Sequence, residues 1–202
     1  MIPRKINSSS DYLKLKNHFL EDITGDDRRL RFGANVTNDY IIEYIDHPKN
    51  VDMWFVVEDN FKIVATCHVA YNKKQNIAEL GLTVSADYRN QKLGQQLFDR
   101  GVTWARMMGA ESIFMHCLTE NHVIQQIARK AGMAVVTLYP SDESEASIKI
   151  DKSRFTAGFE DVVMENMALY DQAIRTQQWF FTKFMKRILG RDRKSTRLNS
   201  SH

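Results

Sequence analysis

The run from Ala78 to Gly94, AELGLTVSADYRNQKLG, passes directly into the amphipathic stretch QQLFDRGVTWARMMG. A strand-period segment therefore hands over to a helix-period segment within a short basic turn, a layout suited to holding a phosphorylated cofactor beside a proton acceptor, although as a bare motif any basic strand-to-helix turn would share it. Alternation places Ala78, Leu80, Leu82 and Val84 on one face of the strand and Glu79, Gly81 and Thr83 on the other. The first face belongs to the core. The second sets a carboxylate beside a residue without a side chain, which leaves room for something to approach the backbone next to Glu79. Apolar flanks are expected to desolvate Glu79 and raise it towards the range of a general base. The alternative is a glutamate at a solvated sheet edge or paired with a nearby arginine.

The segments around this junction are consistent with one mixed sheet. Ser10 is expected to cap a helix through Tyr12, Leu13, Leu15, Phe19, Leu20 and Ile23 that Gly25-Asp26-Asp27 breaks, and RRLRFG follows as a basic, aromatic segment. Thr37 or Asn38 caps a short helix with Tyr40, Ile41, Tyr44 and Ile45 inward, ending before Pro48. Residues Asp52 to Glu58, Lys62 to Tyr71 and Ile77 to Val84 read as an antiparallel meander. Beyond it, Leu93, Leu97, Gly101, Trp104, Ala105 and Met108 share a helical face closed by Gly109, and Ser112 to Leu118 forms another strand. A second helix runs from Asn121 to Gly132, and Met133 to Tyr139 pairs with Ser147 to Ile150 around Pro140-Ser141-Asp142. An antiparallel meander followed by a strand-helix-strand crossover predicts an α+β domain over residues 1–158.

Val163, Met167, Tyr170, Ile174, Phe181, Phe184 and Ile188 then form an apolar stripe over residues 159–191. That helical extension is expected to pack on the domain or on a second copy in a homodimer; its aromatic, basic end WFFTKFMKRILGR offers contact with an anionic membrane surface as the lesser alternative. The last residues, 192–202, read DRKSTRLNSSH, the in-frame translation of a common sequencing adapter, and are expected to be non-native. They hold a net +2 of the formal +3, so the basic character that would suggest nucleic acid largely disappears. With no long apolar run and no signal-like N-terminus, the expected compartment is the cytoplasm. Cys67 and Cys117 lack metal or redox spacing and are expected to be buried thiols, and His68, His116 and His122 share no metal-ligand spacing.

The turn Tyr88 to Gly94 lies where a strand gives way to a helix, so unpaired N–H groups and the helix dipole make a cradle for a pyrophosphate, with Arg89 and Lys92 adding charge. It resembles the R-x-x-G-x-G/A cofactor loop of the GNAT N-acetyltransferases, Arg89 and Gly94 matching its first and last fixed positions. LTENHVIQQIARKAGM resembles that family's second cofactor segment through Asn121, Lys130, Gly132 and Met133. RRLRFG with AELGLTV resembles the bacterial protein-lysine acetyltransferase branch. Together the resemblance spans about Arg28 to Ile150.

The resemblance implies a GNAT-like fold, with a mostly antiparallel, twisted sheet whose middle strands splay into a cleft for acetyl-CoA as co-substrate. Pantetheine would pair with the main chain at Leu82, Thr83 and Val84. The pyrophosphate would lie on the turn Arg89, Asn90, Gln91, Lys92, Leu93, Gly94 and Gln95, and Asn121 would contact the pantetheine arm or departing thiol. Glu79 matches the position that takes a proton from the amine nucleophile, a protein lysine or a small-molecule amine, which then attacks the thioester directly. Two positions depart from the family. Lys92 stands where glycine gives close backbone approach, and Ala128 where many relatives carry a tyrosine that protonates the leaving thiolate. A CoA-binding regulatory module without catalysis is the alternative function. Arg28, Arg29 and Arg31 would steer an acidic substrate or form a solvated edge.

Overall fold

β-branched and aromatic residues concentrated between 51 and 84 build three consecutive long strands, and the rest of the chain is arranged around them. The computed structural model describes residues 1–47, 51–138, 143–149, 161–169, 171–180 and 182–183. Its strands are β1 (Arg4–Lys5), β2 (Val51–Asp59), β3 (Lys62–Asn72), β4 (Ile77–Val84), β5 (Ser112–Leu118), β6 (Ala134–Leu138) and β7 (Glu143–Lys149). They form one sheet in the order β1-β2-β3-β4-β5-β7-β6. Every pairing is antiparallel except β4 with β5, which run parallel over only three residue pairs, Ile77 with Ser112, Ala78 with Ile113 and Glu79 with Phe114. Beyond Glu79 the two strands part, so β4 from Leu80 to Val84 is paired to β3 along one edge and open along the other. This is the splayed, mostly antiparallel sheet that the sequence implied.

Both faces of the sheet are covered. Helix α4 (Leu93–Met108) lies on one face, its Leu97, Trp104 and Ala105 buried with Cys67, Val69 and Leu80 of the strands. Gly101 allows this approach, because a Cβ there would lie 3.0 Å from Cys67 Sγ and 3.1 Å from Leu80 Cδ2. Cys67 and Cys117 are buried free thiols, as expected, and burial pushes the Cys67 thiol up to about 12. On the opposite face α1 (Ser9–Asn17), the π-type turn that follows it and α3 (Asn38–Asp46) bury Leu15, Phe19, Ile41 and Ile45 against Trp54, Val56 and Ile63. Helix α5 (His122–Lys130) packs beside α4 at the open end of the cleft.

Three local readings change. The first helix is capped by Ser8, whose hydroxyl accepts from Asp11 N at 3.2 Å; Ser10 lies inside it, and Tyr12 and Leu13 face solvent. Thr37 caps α3 as one of the two expected residues. The first helical stretch ends at Asp22, so the chain breaks before Gly25-Asp26-Asp27 as expected, but these residues also open a new helix, α2 (Gly25–Phe32). Its two aspartates complement the positive helix start, and Gly33 in the left-handed region ends it. Residues 161–169 and 171–180 are helical, but Val163, Met167 and Ile174 of the apolar stripe are exposed. The contact is only partly apolar, through buried Ala168 and through Trp179 edge-on to Phe61 at 4.7 Å, and is otherwise ionic. Arg100, on the buried side of α4, pairs through Nη1 with Asp161 and through Nη2 with Glu165 at 2.8 Å, and Lys5 also pairs with Asp161. A buried arginine leaves its neighbour little choice but carboxylates. Tyr170, Phe181, Phe184, Ile188, the turn Pro140-Ser141-Asp142 and the tail 192–202 lie outside the described residues.

A π-type turn, closed by Ile23 N donating to His18 O at 3.0 Å, brings His18 beneath the end of β4. Its Nε2 lies 2.8 Å from Thr83 Oγ1, which is 2.7 Å from Thr66 Oγ1, while Ser85 Oγ reaches both His18 Nδ1 and Asp22. Burial pushes the imidazole down to about 4 against the opposing pull of Asp22. The unfolded chain binds that proton near 6.5 and the folded one only near 4, so the contribution is fully present above pH 6.5 and is lost as pH falls to 4. At 1.36 kcal/mol per unit the loss amounts to about 3 kcal/mol. Urea midpoints measured from pH 7.5 to 4 should show this slope, and His18→Gln should flatten it. It does not vanish, because burial lowers His68 in the same direction.

Candidate active site

Where β4 and β5 part, a cavity of about 820 Å³ opens on the sheet face covered by α2 and α3. Glu79 stands at its edge, the last β4 residue paired to β5. Its Oε1 lies 3.3 Å from His116 Nδ1 on β5, and His116 Nε2 lies 3.7 Å from Glu145 on β7. The side chains of Glu79 and His116 are 48% and 50% exposed, so the desolvation expected for Glu79 is absent. Apolar sequence neighbours did not bury it, because alternation turns them to the other side of β4. The arrangement is instead a solvent-reachable carboxylate with an imidazole at hand, able to accept a proton and pass it on.

The room predicted beside Glu79 is taken by Arg31. A Cβ built on Gly81 would overlap the Arg31 guanidinium, which therefore rests on the β4 backbone where the side chain is missing. Arg31 Nη2 donates to Tyr44 Oη at 2.7 Å. Tyr44 Oη is left to donate its own proton to His68 Nδ1, 2.6 Å away. His68 Nε2 faces Asp52 Oδ2 at 3.3 Å, too bent for a hydrogen bond, and the ring stacks on Trp54 at 4.2 Å. Burial raises the Tyr44 hydroxyl above its ordinary value and lowers the His68 imidazole, so both stay neutral near pH 7. Three buried side-chain atoms in this cluster, Arg31 Nε, Asp52 Oδ1 and His68 Nε2, have no hydrogen-bond partner among the described residues.

At the far end of the open β4 edge lies the basic turn. Arg89 pairs with Asp27 of α2 at 2.6 Å and sends Nε towards Val84 O at 3.4 Å. Asn90 and Lys92 both adopt left-handed backbone, with φ of 61° at each, and Lys92 serves as the residue before α4. A lysine thus holds the conformation that glycine would supply. Gly94 lets α5 approach, since a Cβ there would lie 3.0 Å from Ile127 Cδ1. The first turn of α4 holds no acidic residue, so its N–H groups keep their attraction for an anion. Left-handed lysine costs about 1–2 kcal/mol, and glycine loses about 0.5–1 kcal/mol more in backbone entropy on folding. Lys92→Gly is therefore expected to raise stability by about 0.5–1 kcal/mol, read as a higher urea midpoint with unchanged slope.

The fold gathers the expected residues into two groups along one line. Glu79 lies in the cavity, the turn from Arg89 to Gln95 lies at the other end, and Leu82, Thr83 and Val84 join them. The Leu82 side chain is core and that of Thr83 is bonded to His18, so only their main chain faces the gap. Asn121 caps α5, accepting from Ile124 N at 3.3 Å, and its amide nitrogen donates to Leu30 O at 3.4 Å. Ala128 is fully buried and places no acid near the cleft. Tyr40 and Tyr44 both line the cavity. Asp52, His68, His116 and Glu145 were not legible as site residues. The available signal was register, because His68 on β3 lies opposite Gly81 and His116 on β5 opposite Glu145.

A family model described as acetyltransferase (GNAT) family matches residues 17–133. No curated protein matches the chain in sequence. Among solved structures, the GNAT domain of PAT from S. lividans is 14% identical with a TM-score of 0.62, over 73% of this chain and 89% of that one. A spermidine N-acetyltransferase from Vibrio cholerae is 15% identical with a TM-score of 0.53, over 74% and 95%. A putative acetyltransferase from Salmonella typhimurium, solved with its cofactor acetyl-CoA, is 12% identical with a TM-score of 0.53, over 75% and 94%. At such identities these likenesses speak for the fold alone.

Proposed function

The chain belongs to the acetyltransferase (GNAT) family, whose members are generally acetyl-CoA-dependent N-acetyltransferases, and from that premise we propose that it transfers an acetyl group to a primary amine with Glu79 as general base. The single observation that carries this reading is the open edge of β4 from Leu80 to Val84, with Glu79 at one end and the basic start of α4 at the other. Acetyl-CoA suits that line: a linear amide arm can pair with the free edge, and a pyrophosphate can meet helix amides without an acidic side chain in the first turn. Bound there, it supplies an activated thioester carbonyl.

The chain's own groups do the rest. Main-chain N–H groups on the open edge polarise a carbonyl laid against β4. Glu79, reached by solvent, takes a proton from the acceptor ammonium directly or through one water, and His116 at 3.3 Å relays it outward. The neutral amine then attacks the thioester carbonyl, the C–S bond breaks, and sulfur leaves as a thiolate that needs no acid at position 128 because its conjugate acid titrates near 8.5; the excess proton on the new amide nitrogen passes to the thiolate or to water. Lys92 and Arg89 add charge at the pyrophosphate turn, although Asp27 offsets part of it. We take residues 1–158 as the catalytic unit and 159–191 as an extension held to it through Arg100. A panel of amines assayed for free CoA tests the proposal, and release with none of them would refute it. The buried Ala128 and the Cβ of Lys92 favour one second reading, a CoA-binding module without turnover; tight acetyl-CoA binding in calorimetry together with no thiol release would select it.

A further inference from the structure

Resting on the same cleft, we infer that the acceptor is an amino acid or a close relative, an amine with a carboxylate a few bonds away, and that Arg31 on its Gly81 seat is the carboxylate receptor. Arg31 is a guanidinium inside a cavity that pairs with no carboxylate among the described residues. Tyr44 holds it by one hydrogen bond and the ring faces of Phe32 and Tyr44 flank it at 5.0 and 5.7 Å, leaving the rest of its donor fork unpartnered there. Its Nε is among the buried atoms without a partner, and two more, on Asp52 and His68, lie in the same cluster. Unsatisfied buried polar atoms gathered at one cavity are accounted for by a polar ligand.

The chemistry of the lining selects which ligand. Glu43, Asp52, Glu79 and Glu143 make the walls acidic, which attracts an ammonium group and opposes a multiply charged anion such as a phosphate. A polyamine would satisfy the walls but bring a like charge to Arg31. A zwitterion satisfies both, since a planar carboxylate matches the guanidinium fork. Spacing agrees: Glu79 and Gly81 are two residues apart on one face of β4, about 7 Å at the rise of a strand, the span of an amine and carboxylate with their hydrogen bonds.

The test is calorimetric binding of each of the twenty amino acids and its α-carboxamide to the full chain, with and without CoA. At least one amino acid should bind tenfold or more tighter than its amide. That preference should fall below threefold in Arg31→Gln and also in Gly81→Ala, which keeps the guanidinium but fills its seat. The inference is overturned if no amino acid is preferred to its amide, or if the preference survives Arg31→Gln. Catalysis is judged separately: a carboxylate preference in binding with no CoA release from any amine leaves Arg31 standing as a receptor for an amino-acid ligand and removes the acetyl-transfer reading, whereas CoA release without any preference does the reverse.

Discussion

Glu79→Gln should lower kcat by about 10²- to 10⁴-fold, the usual worth of a positioned general base, while acetyl-CoA binds within twofold of its original affinity. The substitution keeps shape and removes only the ability to accept a proton. Glu79 stands at one end of the open β4 edge, away from the turn where the pyrophosphate is proposed to sit, so binding and turnover should separate. Steady-state thiol release and calorimetry with acetyl-CoA make the comparison. Equal losses in both would remove Glu79 from the base role and assign it to holding the cleft.

The second large effect concerns stability. Arg100 and Asp161 have side chains only 2% and 4% exposed, and Asp161 also neutralises Lys5. Asp161→Ala should cost about 3–5 kcal/mol by leaving buried positive charge under-compensated, a fall in Tm of roughly 10 °C. Replacing Arg100 by methionine in the same chain should recover most of this, since removing both charges is far cheaper than stranding one. Scanning calorimetry on the single and double variants makes the cycle. A loss below 1 kcal/mol in Asp161→Ala, or no recovery in the double variant, would show that residues 161–169 are not anchored by this pair.

Strong periodicity carried much of the architecture. The meander β2 to β4, α4 with its closing Gly109, and α5 with Asn121 as cap all fall where alternation, helical spacing and capping chemistry put them. The break before Gly25 holds, since the first helical stretch ends at Asp22, but the new helix that starts there was missed because glycine was weighed above the two aspartates after it, which suit a helix start. Arg100 was unreadable for a related reason: its position on α4 follows the buried face, and its partners are 61 and 65 residues away. The line from Glu79 to Gln95 was legible as one open edge leading to a helix start because it is contiguous in sequence. The cavity beside it was not, since Arg31, Tyr44, Asp52 and His68 come from four elements that only strand register and helix packing bring together. The environment of Glu79 was misjudged, because neighbours in a strand point away from one another.

The three-residue contact between β4 and β5 has a bearing on how this molecule breathes. Strands β1 to β4 form one locally connected ribbon and β5 to β7 another, and little backbone hydrogen bonding joins them. Local opening follows the line where fewest such bonds must break. Amides of Ile77 to Glu79 and Ser112 to Phe114 should thus exchange with solvent sooner than those at the centres of β2 and β3, so that the weakest line in the sheet ends at Glu79, where the proposed catalytic line begins.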